Sequence, residues 1–178
     1  MRRSVGHMAT ESIRRPSAPG RPGDRPPDYH DLELDNQICF ALYSASRAIV
    51  RAYTPLLTDL GLTYPQYLVM LVLWEHPDQS LGVGDLGQQL HLDSGTLTPL
   101  LKRLEGLGHV TRRRHATDER RVVIALTPAG LAIRERAVAL PGEIGQRTGL
   151  SVGRLRELRD ELVRMVAALE LPSRPEEI

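Results

Sequence analysis

The spacing of apolar residues along the chain predicts a mainly helical protein. Apolar side chains recur at helical intervals from Asp31 to about Ala52, and the same period returns over residues 128–140 and after Ser151. Residues 67–75 are almost entirely apolar, which indicates a helix buried in the core. We therefore expect several helices packed around one central helix.

Proline and glycine positions predict where these helices begin and end. Pro55 should break or kink the first helix, and a further turn should end at Gly61. Thr63 is a good N-cap for the central helix, with Pro65 in its first turn.

The middle of the chain has the order of a winged helix-turn-helix. A short helix over Val83 to Leu90 is followed by a turn at 92–95 and a second, capped helix that runs to about Leu107. Alternating residues over 109–114 and 121–126 then predict a two-stranded hairpin with a polar tip. The alternative is a helix pair beside a solvated charged hairpin in another kind of α+β protein.

The second of these helices and the hairpin carry the chemistry expected for DNA binding. Small hydroxyl side chains in the first turns of the helix allow it to approach base edges, and its free N–H groups favour phosphate. The wing tip brings an arginine to the minor groove, and a nearby carboxylate would hold an arginine in place. These candidates are Ser94, Gly95, Thr96, Thr98, Pro99, Lys102, Arg103, Asp118 and Arg120.

Cys39 is the only cysteine, so it is either an apolar filler or a redox switch. On a helical wheel it falls beside the main apolar stripe, on a second face with Tyr43, Ser46, Val50 and Tyr53. A helix with two uncharged faces is expected to be covered both by its own domain and by a partner subunit.

Composition narrows the remaining possibilities. The chain has 178 residues, 41% hydrophobic and 25% charged, as in one ordinary globular domain. A single cysteine and scattered histidines exclude an obvious metal site, and no cofactor is expected. No apolar run resembles a membrane span or a signal peptide, so we expect a cytoplasmic protein. Residues 1–28, rich in Arg, Pro, Gly and Ser, are expected to form a disordered basic arm.

Two stretches of the sequence resemble a known family. Residues 90–105, with Asp118-Glu119-Arg120, are similar to the MarR family of dimeric winged-helix repressors. A second resemblance is to the organic-hydroperoxide-sensing group of that family, the OhrR repressors, and it covers residues 34–43, Tyr53 and residues 63–67. The resemblance implies a mainly α fold with a small β-wing, in which a winged helix-turn-helix joins a dimerisation region of N- and C-terminal helices.

The resemblance also implies domain limits and residue roles. Residues 29–178 would form one domain, with dimerisation helices over 31–62 and 128–170 and the winged helix-turn-helix over 63–127. Cys39 matches the peroxide-reactive cysteine, Tyr53 and Tyr64 match tyrosines that bond its sulfur from the other subunit, and Tyr43 matches a third tyrosine nearby. Ser94–Pro99, Lys102 and Arg103 match the recognition helix, Asp118 and Arg120 the wing tip, and Arg112 a strand position that contacts the DNA backbone.

The expected function is repression relieved by oxidation. A homodimer would bind a pseudo-palindromic operator in double-stranded DNA and release it when an organic hydroperoxide oxidises Cys39, because a thiolate attacks peroxides. With no second cysteine, the oxidised sulfur would persist, form a mixed disulfide with a low-molecular-weight thiol, cyclise with a backbone nitrogen or overoxidise. The alternatives are a repressor that binds a small phenolic or other organic ligand, a thiol peroxidase, and a purely structural dimeric module.

Overall fold

A computed structural model of the chain describes residues 29–115, 117–118 and 120–170. The described residues form seven α-helices and a small antiparallel sheet, so the predicted fold class is confirmed. The helices are α1 Ile38–Thr58, α2 Tyr64–Glu75, α3 Val83–Leu90, α4 Ser94–Gly106, α5 Pro128–Ala137, α6 Leu140–Arg147 and α7 Val152–Glu170. The strands are β1 Leu81–Gly82, β2 Val110–Arg114 and β3 Val122–Leu126.

The first helix begins later than its apolar pattern predicts. Two 3-10 turns, His30–Leu32 and Leu34–Asn36, occupy the start of the predicted stretch, and α1 begins only at Ile38. The side-chain amide of Asn36 donates to the carbonyl of His30 over 2.9 Å. Such local side-chain bonds compete with the helical ladder, which explains the delayed start.

Of the two effects predicted for Pro55, a break or a kink, the break does not occur, because α1 continues to Thr58. A proline removes one backbone donor from the ladder. On either side of it, the hydroxyl of Thr54 donates to the carbonyl of Val50 (3.0 Å) and that of Thr58 to the carbonyl of Thr54 (2.8 Å). The helix therefore continues past the one carbonyl, that of Arg51, which would have accepted from a backbone N–H at position 55.

Helix α2 is the centre of the core, as its apolar run predicts. Its N-terminus is closed by Gln66, whose side-chain oxygen accepts from the backbone N–H of Thr63 over 2.8 Å. Val69, Met70 and Leu73 are completely buried. They pack with Leu86 of α3, Leu97, Leu101 and Leu104 of α4, and Val110 and Ile124 of the sheet.

The sheet has the strand order β1-β3-β2 and is antiparallel throughout. The hairpin β2–β3 confirms the predicted wing, one residue shorter at the start of each strand. The pairing of Leu81 with Ile124 adds the third strand, which sequence periodicity could not detect because β1 has only two residues.

The predicted helix over 128–140 corresponds to α5, which ends three residues earlier than predicted, and a further helix, α6, follows it. Helix α5 ends at Ala137 and α6 starts at Leu140, with Pro141 in its first turn. Thr127 caps α5 by accepting from the N–H of Gly130 over 2.9 Å. Proline is well placed in a first turn but disfavours the helical ladder before it, which accounts for the break.

Helix α7 begins after Ser151, as predicted, and contributes no buried residue to the core. Its apolar side chains stay exposed or half-buried; Val152, Val163 and Leu169 are 66%, 61% and 77% exposed. None of the described helices combines the length and apolarity required to cross a bilayer. The predicted arm over residues 1–28 and the end of the predicted domain, residues 171–178, lie outside the described residues.

A close approach at Gly130 joins three elements of the core. The indole Nε1 of Trp74 in α2 donates to the carbonyl of Gly130 in α5 over 2.9 Å. A Cβ added at Gly130 would lie 2.0 Å from the carbonyl oxygen of His109, just before β2.

Gly130→Ala should therefore lower the free energy of unfolding by about 1–3 kcal/mol, the range for overpacked sites. The measurement is urea unfolding followed by circular dichroism. Gly84→Ala is the matched control, because an added Cβ there meets nothing within 4 Å and alanine favours helix by up to about 1 kcal/mol. Equal stabilities for both variants would contradict the close packing at Gly130.

Candidate nucleic-acid interface and thiol site

The turn between α3 and α4 is tight and needs particular backbone conformations. His91 ends α3 with φ of 52°, a left-handed conformation that is uncommon outside glycine. A Cβ added at Gly87 would lie 2.7 Å from the carbonyl oxygen of Leu92. The two helices therefore approach as closely as a helix-turn-helix requires.

Asp93 fixes the start of α4. Its carboxylate accepts from both the backbone N–H and the hydroxyl of Thr96, each over 2.9 Å. These hydrogen bonds, the backbone one first, lower the pKa of Asp93 from its ordinary value. Of the two residues that could cap this helix from the turn at 92–95, Asp93 and Ser94, the cap is Asp93, and it stays ionised at neutral pH.

The predicted contact residues of α4 form one exposed surface of the helix. Thr98 is half-buried, and its hydroxyl donates to the carbonyl of Ser94 over 2.6 Å. The exposed members are Ser94, Gly95, Thr96, Pro99, Lys102 and Arg103. Small polar groups at the N-terminal end and two cations further along are what a recognition helix requires in the major groove.

The wing tip is closed by Asp118. Its carboxylate accepts from the backbone N–H of Arg120 over 3.1 Å, and its carbonyl accepts from the N–H of Arg121 over 3.0 Å. Arg120 is exposed. The expectation that Asp118 orders an arginine is met through the backbone of Arg120.

Arg112 lies in a different environment from the other candidate DNA contacts. Its side chain is 21% exposed, and its Nη1 lies 3.4 Å from Oε2 of Glu105 in α4. The sequence alone did not single out Glu105, since nothing in its spacing relates it to the hairpin.

Cys39 lies in the first turn of α1 and is exposed. Its Sγ is 3.9 Å from Oε1 of Gln37. Further along the helix, Tyr43 is also exposed, and its hydroxyl accepts from Nη1 of Arg47 over 2.8 Å.

Tyr53 and Tyr64 are brought together, as their shared predicted role requires. Their ring centroids are 5.1 Å apart, and Tyr67 lies 5.6 Å from Tyr53 and 6.4 Å from Tyr64. Trp74 extends the cluster at 6.2 Å from Tyr67. Tyr67 and Trp74 were predicted in the core helix but were not among the candidate site residues; their spacing from Tyr64, one and about three helical turns, is the signal that could have grouped them with it.

Burial raises the pKa of these phenols above the ordinary tyrosine value. Desolvation raises the pKa of Tyr64. Desolvation, and to a smaller extent the neighbouring Tyr64, raises the pKa of Tyr53. Tyr67, which is 2% exposed, has its pKa raised to about 12 by desolvation and by the two tyrosines beside it. Tyr53 and Tyr64 are half-buried hydroxyls that can donate a hydrogen bond at neutral pH.

The capped α3–α4 pair, the exposed cations of α4 and the arginine-tipped hairpin define a winged-helix DNA-binding regulator. Residues 51–135 match the family described as "Transcriptional regulator SarA/Rot". The chain is 46% identical over 141 residues to the organic hydroperoxide resistance transcriptional regulator of Bacillus subtilis, covering 79% of this chain and 95% of that protein. It is 49% identical over 147 residues to the regulator TtmR of Methylorubrum extorquens, with 79% and 74% covered.

Solved structures agree with these relatives. Reduced AbfR bound to DNA superposes with a TM-score of 0.65 and 36% identity, over 78% of this chain and 96% of that one. The chain belongs to the MarR family of transcriptional regulators, in its organic hydroperoxide resistance group, and its single cysteine makes it a one-cysteine member. Its relatives are regulators of transcription and not enzymes.

The alkaline stability of the protein should report the buried phenol of Tyr67. Its pKa is about 12 in the folded protein and about 10 in an unfolded chain, so the unfolded state releases the proton first. The stabilisation that the protonated Tyr67 contributes is fully present below about pH 10. Above about pH 10 the unfolded state loses this proton first, so the free energy of unfolding falls as the pH rises.

Tyr67→Phe should accordingly lose less stability than the wild type between about pH 9 and about pH 11 in urea titrations. Tyr43→Phe, which alters an exposed phenol, should behave as the wild type does. Identical losses in all three proteins would contradict the buried state of Tyr67.

Proposed function

We propose that this regulator is a homodimeric repressor that binds a pseudo-palindromic operator and releases it when an organic hydroperoxide oxidises Cys39. The observation that carries the DNA-binding part is the exposed basic surface of α4 beside the arginine-tipped wing. The description of AbfR as reduced and bound to DNA supports the same partner here. A protein with this role works in the cytoplasm, where the DNA is.

The exposed helices support the homodimer. Helix α1 buries only Leu57 in the core, and α7 buries nothing. Apolar side chains on long exposed helices are typical of an interface between subunits. The exposed apolar residues are Ile38, Phe40, Tyr43 and Ile49 of α1 and Val152, Leu158, Val163, Val166 and Leu169 of α7. A second copy of the chain would cover them and set the spacing between its two recognition helices.

The chemistry of Cys39 supports the sensing step. The thiolate sulfur attacks one peroxide oxygen, the O–O bond breaks, and the alkoxide leaves and takes up a proton to become an alcohol. Sulfur is oxidised to a sulfenic acid while the hydroperoxide is reduced. In the proposed dimer, the hydroxyls of Tyr53 and Tyr64 of the other subunit donate to the thiolate, and Tyr43 lies beside them. Both hydroxyls are protonated at neutral pH, as this role requires, and burial raises the pKa of each further.

The next step depends on the absence of a second cysteine. The sulfenic acid persists, cyclises with a backbone nitrogen, is overoxidised, or condenses with a low-molecular-weight thiol to give a mixed disulfide and water. Each product changes the size and hydrogen bonding of the sulfur at the interface. A resulting rotation of the subunits separates the two recognition helices from half-sites that lie about 34–36 Å apart.

A second candidate function is release of DNA by a small organic ligand. A cavity of about 260 Å³ lies between α2, α5 and α6 and is lined by Tyr67, Leu71, Trp74 and Arg134, among others. The carboxylate of Glu75 lines the cavity as well and offsets the cation of Arg134, so the aromatic wall fits a neutral phenolic ligand better than an acidic one. In that case Cys39 would be incidental.

Cys39→Ser separates the two functions. Reduced protein is bound to a duplex that it has selected from random DNA, and cumene hydroperoxide is added. The wild type should release the duplex and gain the mass of an oxidised cysteine, while Cys39→Ser should stay bound with its initial affinity unchanged. Peroxide-induced release by Cys39→Ser would rule out the redox mechanism. Continued turnover of peroxide in the presence of a thiol would indicate a peroxidase instead.

Arg120→Ala tests the wing. It should lower the affinity about tenfold, within the range of about 1–3 kcal/mol for one arginine contact, and leave the thermal midpoint unchanged because Arg120 is exposed. Arg156→Ala, which removes an exposed arginine from α7, is the control and should bind as the wild type does. Unchanged affinity of Arg120→Ala would remove the wing tip from the interface.

A further inference from the structure

Strand β2 directs Arg112 toward the protein core. Arg112 pairs with Ile124 in the antiparallel register, so the two side chains lie on the same face of the sheet. Ile124 is completely buried, and Val110, two residues before Arg112 on that face, is 2% exposed. Arg113 lies on the opposite face and is exposed.

The guanidinium of Arg112 is largely withdrawn from solvent. Its side chain is 21% exposed, and its Nε is buried without a hydrogen-bond partner among the described residues. Lys102 and Arg103 of α4 are exposed by contrast. A phosphate contact needs an accessible cation, and these two residues meet that need better than Arg112 does.

The charge of Arg112 is directed at the carboxylate of Glu105. Glu105 is the one acidic residue of α4 and lies in the last helical turn, where the helix dipole disfavours a carboxylate. It would also repel DNA phosphates from the recognition helix. The 3.4 Å contact between its Oε2 and Nη1 of Arg112 neutralises it and links α4 to β2.

We infer that Arg112 is a positioning residue that holds the recognition helix against the wing through Glu105, and is not a phosphate ligand. This inference rests on the proposed DNA-binding function. The pair fixes the orientation of α4 relative to the hairpin, so that both elements meet one stretch of duplex in a fixed geometry.

The direction in which Glu105→Met changes the affinity for DNA tests the inference. Glu105→Met removes a negative charge near DNA, so electrostatics alone predicts tighter binding. If Arg112 acts through Glu105, Glu105→Met and Arg112→Met should each weaken binding to the selected duplex about three- to fivefold, the upper range for a partly exposed ion pair. The double variant should be no weaker than either single one, because the two residues form one unit.

The salt dependence of binding separates positioning from direct contact. The logarithm of the affinity falls linearly with the logarithm of the salt concentration, and each phosphate contact that is lost decreases the steepness of this fall by about 0.9. Lys102→Met should show this decrease, whereas Arg112→Met should keep the wild-type slope. Glu135→Met, at an exposed position of α5, controls for the general loss of a carboxylate, and thermal midpoints confirm that the variants are folded.

Three outcomes overturn the inference while leaving the proposed function intact: a decreased slope for Arg112→Met, tighter binding by Glu105→Met, or additive losses in the double variant. Failure of the wild-type protein to select or bind any duplex would instead overturn the proposed function, and the inference with it.

Discussion

The structure depends on one interlock between the central helix, the wing and the helix that follows it. The indole of Trp74 bonds the carbonyl of Gly130 (2.9 Å), and the missing side chain of Gly130 lets α5 touch the backbone at His109. The N–H of Thr127 donates to the carbonyl of His109 over 3.0 Å. The hydroxyl of Thr127 donates to the carbonyl of Gly108 over 2.6 Å. The ends of both wing strands are thereby fixed to α2, and with them the orientation of the hairpin beside α4.

The helix-turn-helix could be predicted from the sequence because its signals are local. An apolar helical period ending at Leu90, an N-cap at Asp93 and alternating residues after Gly108 each describe a few neighbouring positions. The first helix was less predictable, because its true start depends on side-chain bonds of the preceding turns and because a proline inside a helix need not end it. Strand β1 forms only because β3 offers it a partner.

The candidate sites show the same division between local and tertiary information. The exposure of Lys102, Arg103 and Arg120 follows from their positions on α4 and at the hairpin tip, so a helical wheel and a turn were sufficient. Arg112 differs, because strand alternation turns it inward and its partner Glu105 lies on another element. Tyr67 belongs both to the core and to the tyrosine cluster: its spacing groups it with Tyr64 on α2, and only packing brings it against Tyr53 of α1.

The C-terminal part of α1, residues 42–58, is anchored by Leu57 in the core and by Tyr53 and Leu56 packed against it, which matters for any signal that reaches this stretch. Within residues 42–58 the core holds Leu57, while Nη1 of Arg147 donates to the carbonyl of Ala52 over 3.2 Å. Just beyond, Nη2 of Arg136 donates to the carbonyl of Asp59 over 2.7 Å. Tyr53 lies in this stretch and packs on Tyr67, which contacts Trp74.

A packed series of side chains therefore leads from α1 to the carbonyl of Gly130 and the base of the wing. Close-packed interiors respond to a displaced ring by shifting its neighbours, since there is little free volume to absorb the change. In the proposed sensing mechanism, a change in the hydrogen bonding of Tyr53 need not reach the recognition helix directly. It can move the ring of Tyr67 against Trp74, and the indole of Trp74 makes the hydrogen bond to Gly130 that fixes the base of the wing.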